Sequence, residues 1–344
     1  MSGTSLDGLD ISLCKYYRKD KRWAYEFLDF ECIPYSIDLV KKIRNVYDTS
    51  ARKLVETDIE LATYLGEKIA IFIENCKFSV DLIASHGQTI FHVPEKKYTC
   101  QIGSGAVIAA ITGLPVISDF RQQDITLGGQ GAPLVPIGDE LLFGEYAACL
   151  NLGGFANISY NKDGRRLAFD ICAVNFVLNH FARKKNLEYD CDGKLASEGS
   201  VNNELLDKLN DLDFYKKTSP KSLGQEWVEN SVFPLMNNYK ELTAEDLLRT
   251  YSEHICFQIS KAFLAFAGEK VLVTGGGTKN SFIMERIREL SEKKIIIPDN
   301  NLIDFKEAIV FGFLGVLRFK NEINCLASVT GAKRDSCTGA LYLP

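Results

Sequence analysis

The stretch Met1-Ser-Gly-Thr-Ser-Leu-Asp-Gly-Leu-Asp10 decides the fold prediction for this chain. It places glycines, hydroxyl side chains and carboxylates in one short turn, and the apolar run from Ile11 to Cys14 follows directly. Such a turn can present backbone N–H groups and hydroxyls to phosphate oxygens, while Asp7 and Asp10 can hold a magnesium ion or its waters. The same composition would also suit an ordinary surface or hairpin turn.

Two later glycine-rich turns strengthen the phosphate interpretation. Residues 149–160 have the pattern of a strand, a tight glycine turn and a second strand, and residues 274–280 lie between the strand-like stretch 270–273 and a helix that begins near Ser281. A glycine run before a helix lets a nucleotide approach the positive end of the helix dipole. Two β-turn-β phosphate loops, one in each half, predict a duplicated domain with a nucleotide in the cleft between the halves. A Gly-Gly bulge within a strand is the alternative for the second turn, and the third turn alone is weak evidence.

Strand-like and helix-like stretches alternate along the chain, which predicts an α/β fold with a largely parallel sheet. The clearest break in composition is the Gly/Pro-rich stretch 127–136, interpreted as a crossing between the two halves. The predicted strands are 10–17, 25–34, 82–84, 115–118, 147–152, 167–169, 270–274 and 294–297, and the predicted helices are 36–46, 50–76, 106–112, 176–185, 244–267 and 281–290.

Composition excludes several classes of protein. A net charge of −5 without a basic run argues against nucleic-acid binding, and no apolar stretch reaches the length of a membrane span. The first residues lack a basic and then apolar signal peptide, so we expect a cytoplasmic protein. Ten cysteines without a CxxC pair fit neither a zinc site nor a disulfide framework, and we expect them to be reduced and mostly buried.

A series of motifs in a fixed order resembles the anhydro-N-acetylmuramic acid kinase family over essentially the whole chain. The resemblance implies the fold of the acetate and sugar kinase, Hsp70 and actin superfamily, with actin-like domains at 1–135 plus approximately 325–344 and at 136–324. It also implies conversion of 1,6-anhydro-N-acetylmuramic acid, ATP and water to N-acetylmuramic acid 6-phosphate and ADP, and a homodimer. The motifs lie at residues 1–10, 85–89, 101–103, 119–124, 128–136, 151–157, 273–280 and 330–332.

Asp170 is the candidate catalytic base, because the implied reaction needs one carboxylate to take a proton from water. We expect it to end the short strand 167–169; its structural alternative is the N-cap of the helix that begins near Asn175. The implied ATP-binding residues, with Mg²⁺ at Asp7 and Asp10, are Gly3, Thr4, Ser5, Leu6, Asp7, Gly8, Leu9, Asp10, Asn151, Gly153, Gly154, Asn157, Gly275, Gly276, Gly277 and Asn280.

Polar residues elsewhere suit an amino sugar. Arg121 could clamp a lactyl carboxylate, or could instead form an ion pair with Asp119 or Asp124 that only shapes its loop. Glu307 could accept sugar hydroxyls, or could be a solvated residue of a first helical turn. The predicted substrate residues are His86, Gln88, Thr89, Arg121, Asp124, Asn175 and Glu307.

The sequence departs from the family at two places. After Asp170 the family has Thr-Gly-Pro-Gly-Asn, whereas this chain has Ile171-Cys-Ala-Val-Asn175. A strand ordinarily precedes the first phosphate loop in the family, and we expect the first sheet to lack it here. Two family loops have no derived role: the loop at 190–193, whose spacing does not suit calcium, and the loop that contains Lys221.

Two rival functions stay open at this point. A kinase for an ordinary hydroxyl on the same fold would need no carboxylate to activate water. An actin- or Hsp70-like ATP-binding module without sugar chemistry would need a protein partner.

Overall fold

The computed structural model describes residues 1–2, 6–218 and 221–344. Gly3, Thr4 and Ser5 of the first predicted phosphate loop lie outside the described residues. The strands are β1 (Gly8–Lys19), β2 (Arg22–Pro34), β3 (Ile83–Ala84), β4 (Gln88–Val93), β5 (Tyr98–Ile102), β6 (Val116–Ser118), β7 (Ala148–Leu152), β8 (Phe155–Lys162), β9 (Arg165–Ala173), β10 (Lys270–Thr274), β11 (Lys294–Ile296) and β12 (Ala340–Tyr342).

Helices separate most of these strands, and the predicted α/β class is confirmed. The prediction of a largely parallel sheet is wrong, because three of the described pairings between these strands are parallel and five are antiparallel. Short 3₁₀ turns occur at Val46–Asp48, Pro94–Lys96, Cys191–Gly193, Asp213–Lys216 and Gly276–Lys279, and a π turn at Val228–Val232 joins α9 to α10. The helices are α1 (Ile37–Asn45), α2 (Ala51–Asn75), α3 (Gly105–Thr112), α4 (Gln122–Thr126), α5 (Pro136–Leu142), α6 (Asn175–Arg183), α7 (Lys194–Glu198), α8 (Asn203–Asn210), α9 (Gln225–Trp227), α10 (Phe233–Asn237), α11 (Ala244–Phe263), α12 (Ser281–Glu289), α13 (Asn300–Phe319) and α14 (Ala327–Thr330).

Local sequence explains where the main helices begin. Ser36 and Ser50 are the N-caps of α1 and α2, and each side chain accepts a hydrogen bond from a backbone N–H in the first turn. Thr243 and Asp246 form a reciprocal capping box at the start of α11. These caps satisfy N–H groups that have no partner within the helix, so each start is encoded by a few adjacent residues.

The chain divides into two compact units, the first made of Met1–Leu142 with Phe305–Pro344 and the second of Phe143–Asp304. The Gly/Pro-rich stretch 127–136 lies inside the first unit. The actin-like domain bounds expected from the sequence stay a prediction.

The first unit distributes its strands over small sheets. β1 and β2 form an antiparallel hairpin, β4 and β5 form a second one, and β12, β6 and β3 form a three-stranded sheet in that order. Apolar residues of α1, α2, β5 and α3 share one core, which includes the fully buried Leu61 and Ile108. A cavity of about 800 Å³ in this unit is lined in part by β1 and by the segment around β3.

The second unit is built on one five-stranded sheet in the order β11-β10-β7-β8-β9. β7, β10 and β11 are parallel to one another, whereas β8 is antiparallel to both of its neighbours. A large apolar core combines this sheet with residues of α6, α8, α11 and α12. Because β7 and β10 are parallel neighbours, the loops at their carboxyl ends emerge at the same edge of the sheet.

Two further observations bear on the sequence predictions. None of the helices in the described part of the chain is long and apolar enough to cross a membrane. All ten cysteines are free, as expected, but the prediction that most are buried is wrong. Cys149, Cys172, Cys256 and Cys325 are buried, whereas Cys32 and Cys191 are exposed and the other four are intermediate.

Candidate active site

The second predicted phosphate loop is a tight hairpin turn of the second unit. Gly153 and Gly154 join β7 to β8, and the backbone around Gly154 is open enough that an added Cβ would meet nothing within 4 Å. The carbonyls of the two glycines accept hydrogen bonds from the first N–H groups of α6, including a bond of 3.3 Å from Asn175 N to Gly153 O. The alternative of a bulge within one strand is wrong, because the glycines form the hairpin turn.

The third glycine run lies directly beside this turn. Thr274 pairs with Asn151 in the parallel register of β10 and β7, and Gly275 follows with a φ of +88°. A Cβ at Gly275 would lie 2.6 Å from Asn151 Oδ1 and 2.7 Å from Leu152 O. Only glycine fits both this backbone conformation and this close approach.

Asn280 and the remaining glycines lead the chain into α12. Asn280 is buried and its Oδ1 accepts a hydrogen bond from Ile283 N, so it is the N-cap of that helix. Gly276 has nothing within 4 Å of an added Cβ, whereas Gly277 packs closely against Leu152. Four predicted nucleotide positions, Asn151, Gly153, Gly154 and Gly275, are therefore brought together at one edge of the sheet, next to the N-terminus of a helix.

Asp170 lies within strand β9 and not at its end. The predicted strand 167–169 is too short, because β9 continues to Ala173. The predicted alternative, that Asp170 caps the next helix, is also wrong: the N-cap of α6 is Val174. A bulge opposite Ala156 and Asn157 leaves Ile171 unpaired, and such bulges re-aim the side chains next to them.

The carboxylate of Asp170 is held on one side only. Its Oδ2 accepts a hydrogen bond of 2.8 Å from Leu223 N, and its own backbone N–H donates to Lys221 O at 3.0 Å. Burial raises the pKa of this carboxyl, and the Leu223 N–H acts in the opposite direction. Among the described residues no side chain occupies Oδ1, so this oxygen can accept a proton from a ligand or a water molecule.

Residues 171–174, where the sequence departs from the family, belong to the core. The side chains of Ile171, Cys172, Ala173 and Val174 are all buried in the apolar cluster of the second unit. Ala173 O also accepts a hydrogen bond from the buried Tyr251 hydroxyl at 3.0 Å. Apolar side chains therefore fill the positions at which the family has Thr-Gly-Pro-Gly, and Asn175 keeps its place at the first residue of α6.

The first unit holds the described part of the first predicted phosphate loop. Leu6 and Leu9 point into the core, so only their backbone is available to a ligand. Gly8 lies against β2, where an added Cβ would be 2.5 Å from Ile33 O. Asp7 is exposed, and Asp10 Oδ1 accepts a hydrogen bond of 3.0 Å from the Cys32 thiol. No cluster of three or more potential metal ligands occurs in the described residues, so these carboxylates could supply at most part of a coordination shell.

His86 and Arg121 form one unit of structure. Arg121 Nε and Nη2 lie 3.0 and 2.8 Å from His86 Nε2, and Nη1 donates to Gly131 O at 2.7 Å. Burial, followed by the charge of Arg121, lowers the pKa of His86 to about 3, so the imidazole is neutral and accepts these bonds. Among the described residues Arg121 makes no ion pair with Asp119 or Asp124, so the ion-pair alternative is wrong.

Glu307 is a carboxylate whose charge acts on Arg121. It lies in the second turn of α13, which begins at Asn300, and its side chain is accessible to solvent. Although the side chain reaches solvent, partial desolvation of its carboxyl by the surrounding protein raises the pKa, and the charges of Arg121 and of the Met1 amino group oppose that shift. The alternative of a solvated first-turn residue is wrong in its position on the helix, but the side chain is exposed, as that alternative expected.

Gln88, Thr89 and Asp124 are largely engaged within the protein. Gln88 Oε1 accepts a hydrogen bond of 2.6 Å from Ser2 Oγ, and Thr89 Oγ1 accepts one of 3.2 Å from Gln101. Asp124 is fully buried and accepts hydrogen bonds from Gly131 N and Thr330 Oγ1, each at 2.8 Å, and from the Cys325 thiol at 3.2 Å. Contact between Asp124 and a substrate would require these bonds to break, and its predicted substrate role stays a prediction.

Two groups that contact residues of the candidate site were not predicted from the sequence. The backbone N–H of Leu223 fixes the Asp170 carboxylate, and the amino group of Met1 donates to Asp10 O at 2.6 Å. The family loop that contains Lys221 was the signal for the first of these, although its role could not be derived from the sequence. The Asp190 carboxylate accepts hydrogen bonds from the N–H groups of Leu195 and Ala196 in the first turn of α7, whose N-cap is Gly193.

Comparisons with a family model and with individual relatives point to the same family. A model of the family described as anhydro-N-acetylmuramic acid kinase (AnmK) matches residues 1–344. An anhydro-N-acetylmuramic acid kinase of Sulfurimonas denitrificans is 35% identical over 364 residues, covering 99% of this chain and 98% of that protein. One of Caldanaerobacter subterraneus subsp. tengcongensis is 32% identical over 378 residues, covering 100% of this chain and 96% of that protein. The solved structure of a ROK family glucokinase from Streptomyces griseus in complex with glucose and AMPPNP aligns more weakly, with 10% identity, a TM-score of 0.35, and coverage of 83% of this chain and 94% of that chain.

Proposed function

Because the chain belongs to the anhydro-N-acetylmuramic acid kinase family, we propose that it uses water and ATP to convert 1,6-anhydro-N-acetylmuramic acid to N-acetylmuramic acid 6-phosphate and ADP. The reaction belongs to the recycling of cell-wall peptidoglycan and to amino-sugar catabolism. The observation that carries the proposal is the family match over the whole of residues 1–344. The geometry within each unit supplies groups for the separate parts of this chemistry.

Asp170 is the proposed base. It takes a proton from water as the water oxygen attacks the anomeric carbon, and the bond between C1 and O6 breaks with its electron pair on O6. O6 then attacks the γ-phosphorus, and ADP leaves with the electrons of the broken P–O bond. The proton on Asp170 passes afterwards to solvent. Oδ1 accepts no hydrogen bond from the described residues, which supports this role, and so does the raised pKa of the carboxyl, which improves it as a base.

The glycine turns of the second unit are proposed to bind phosphate groups of ATP. The backbone at Gly154 and Gly276 is open, so phosphate oxygens can approach it closely. Residues 1–10 would contribute a second phosphate-binding loop, in which Gly3, Thr4 and Ser5 supply neutral donors. Asn151, Asn157 and Asn280 complete the proposed set.

Arg121 and Glu307 are the proposed anchors for the sugar. Neutral His86 accepts from two guanidinium nitrogens, which fixes the plane of Arg121 without cancelling its charge. A fixed, charged guanidinium suits the lactyl carboxylate of the substrate. The accessible carboxylate of Glu307 suits sugar hydroxyls, and Asn175, His86, Gln88 and Thr89 are further proposed substrate contacts.

Asp7 and Asp10 are the residues that would hold Mg²⁺. Magnesium commonly binds through one or two carboxylates, water and phosphate oxygens, and the oxygen donors of an exposed Asp7 and a half-buried Asp10 fit that pattern. When bound, the ion would neutralise charge on the β- and γ-phosphates. We further propose that the protein is cytoplasmic and forms a homodimer. Both parts of this proposal rest on the family resemblance.

The test is ADP release from magnesium-ATP with three additions: no sugar, N-acetylmuramic acid, and its 1,6-anhydro form. We expect turnover only with the anhydro sugar. Turnover with N-acetylmuramic acid would instead favour a kinase for an ordinary hydroxyl, and equal ADP release in all three reactions would contradict sugar phosphorylation.

Asp170→Asn tests the base separately. We expect kcat to fall roughly 10²- to 10⁴-fold, the usual contribution of a positioned general base. Asp163→Asn is the matched control, because Asp163 is exposed in the turn before β9 and its φ of 52° is one that asparagine tolerates. A variant without the Asp170 carboxylate that kept normal turnover would exclude this residue as the base.

A further inference from the structure

The segment Lys221-Ser-Leu223, called here the strap, touches the candidate base directly. It lies beside β9, which is at the edge of the five-stranded sheet. Asp170 N donates to Lys221 O at 3.0 Å, and Leu223 N donates to Asp170 Oδ2 at 2.8 Å. The backbone and the carboxylate of the same residue are thus both bound by the strap.

The ammonium group of Lys221 anchors this strap in an aromatic cage. Its Nζ lies 4.4 Å from the ring centre of Phe214, 5.8 Å from that of Phe169 and 5.9 Å from that of Tyr215, and it is 3.4 Å from Phe214 O. These distances are within the range of cation–π attraction. Among the described residues no carboxylate forms an ion pair with Lys221, so the aromatic rings provide its principal partners.

Two residues of the cage are buried, and one of them is hydrogen-bonded to the core. Phe214 and Tyr215 are buried, and the Tyr215 hydroxyl lies 2.9 Å from His254 Nε2. His254 is fully buried in α11, and its Nδ1 lies 2.7 Å from Asn210 Oδ1 at the end of α8. A chain of packed and hydrogen-bonded groups therefore connects two helices of the core to the ammonium group, and through the strap to Asp170.

We propose that Lys221 is a positioning residue, which acts through the strap to aim one oxygen of Asp170 at the substrate and to set the basicity of the carboxylate. This inference rests on the proposed function of Asp170. The strap occupies Oδ2, so Oδ1 is left for the proton that is transferred. Loss of the anchor would let the strap move, and Asp170 would lose both its orientation and the hydrogen bond that favours its charged form.

The direction of the pH effect follows from the groups around Asp170. Burial raises the pKa of its carboxyl and the Leu223 N–H lowers it. Burial raises the pKa of Cys172 on β9, the charge of Lys221 lowers it, and the charge of Asp170 raises it. Burial lowers the pKa of Lys221, and the charges of Lys261 and Lys217 lower it further. When the Leu223 N–H is withdrawn, the pKa of Asp170 rises, and the acid limb of the rate profile moves to higher pH.

The test compares Lys221→Met with Lys221→Arg and Lys261→Met. Lys221→Met keeps an unbranched side chain but removes the cation, Lys221→Arg restores a cation that can stack on the rings, and Lys261→Met removes a neighbouring exposed charge. We expect Lys221→Met to lower kcat roughly ten- to a hundredfold, with an unchanged KM for ATP and an acid limb at higher pH. Lys221→Arg should recover most of the rate, and Lys261→Met should behave as the unaltered protein.

A second measurement needs no turnover. The ¹³C NMR signal of the Asp170 carboxyl, assigned by its disappearance in Asp170→Asn, is titrated in the unaltered protein and in Lys221→Met. A midpoint that moves to higher pH supports the link from Lys221 through the strap to the Asp170 carboxyl. If Asp170→Asn retained activity, the role of Asp170 as base would fall and the positioning role in catalysis with it, while the shifted midpoint would show that the link itself exists. An unchanged midpoint together with an unchanged acid limb overturns the proposal, as does an equal change in Lys261→Met. Lys221→Gln replaces Lys221→Met if the circular dichroism spectrum shows that the latter does not fold.

Discussion

Replacement of Asp124 by alanine should destabilise the first unit strongly. The carboxylate is fully buried in α4 and accepts from Gly131 N, from Thr330 Oγ1 and from the Cys325 thiol. It thereby ties the Gly/Pro-rich loop after α4 to the segment around α14, which lies about 200 residues later in the sequence. An alanine at this position could not form these hydrogen bonds.

The magnitude follows from the partners that lose their acceptor. In Asp124→Ala the buried Gly131 N–H loses the acceptor that it has among the described residues, at a cost of about 1–3 kcal/mol. The charged hydrogen bond from Thr330 adds about 1–2 kcal/mol, because its hydroxyl retains only a bond of 3.4 Å to Leu326 O. The thiol is a weak donor and adds little. The expected loss is therefore about 2–5 kcal/mol.

Two smaller changes divide this effect. Asp124→Asn keeps one carbonyl oxygen for Gly131 N and should cost about 1–2 kcal/mol. Thr330→Val removes a single donor and should cost about 1 kcal/mol. The three variants should therefore rank with alanine as the most destabilising, and the double variant Asp124→Ala with Thr330→Val should lose less than the sum of the two single losses.

The assay is guanidinium chloride unfolding followed by tryptophan fluorescence. The two tryptophans lie in different units, Trp23 in β2 of the first and Trp227 in α9 of the second. Trp227→Phe therefore provides a background in which fluorescence reports the first unit. A loss below about 1 kcal/mol for Asp124→Ala, or an asparagine variant as unstable as the alanine variant, would refute the assignment of these hydrogen bonds.

Three further predictions concern the candidate site and its core. Gly275→Ala forces a Cβ to 2.6 Å from Asn151 Oδ1 at a φ of +88°. It should lower the free energy of unfolding, measured by calorimetry, by about 2–4 kcal/mol and should weaken ATP binding. Gly276→Ala is the control, because the space around Gly276 is open, and it should cost less than about 1 kcal/mol. His254 is fully buried, and burial lowers its pKa to about 3, below the ordinary 6.5. Its contribution to stability is therefore present above pH 6.5 and is lost as the pH falls. Between pH 7 and 5 the free energy of unfolding should drop by about 2 kcal/mol more than in His254→Gln, as measured by Trp227 fluorescence in a Trp23→Phe background. Arg121→Lys replaces a planar fork by one ammonium and should raise the KM for the anhydro sugar about tenfold without changing the KM for ATP, and an unchanged sugar KM would argue against the proposed carboxylate clamp.

Much of the fold could be predicted from the sequence because its signals are local. The strands at 147–152 and 270–274, the glycine turns that follow them, and the helix that begins at Ser281 all correspond to features of the structure. A glycine with positive φ, a cap or a run of apolar residues depends on a few neighbours, so the sequence displays it directly. The errors at Asp170 arose where a strand continued through polar residues and a bulge, which have no comparable local pattern.

The sequence by itself determined the α/β class, the positions of the glycine turns and the family to which the chain belongs. Tertiary structure decided how individual side chains are used. Asp170 is oriented by a backbone N–H that lies 53 residues later, Arg121 by a histidine 35 residues earlier, and Asp124 by partners about 200 residues away. These pairings depend on which strands and loops pack together, and the free energy of a buried hydrogen bond depends on the partner and not on its distance along the chain.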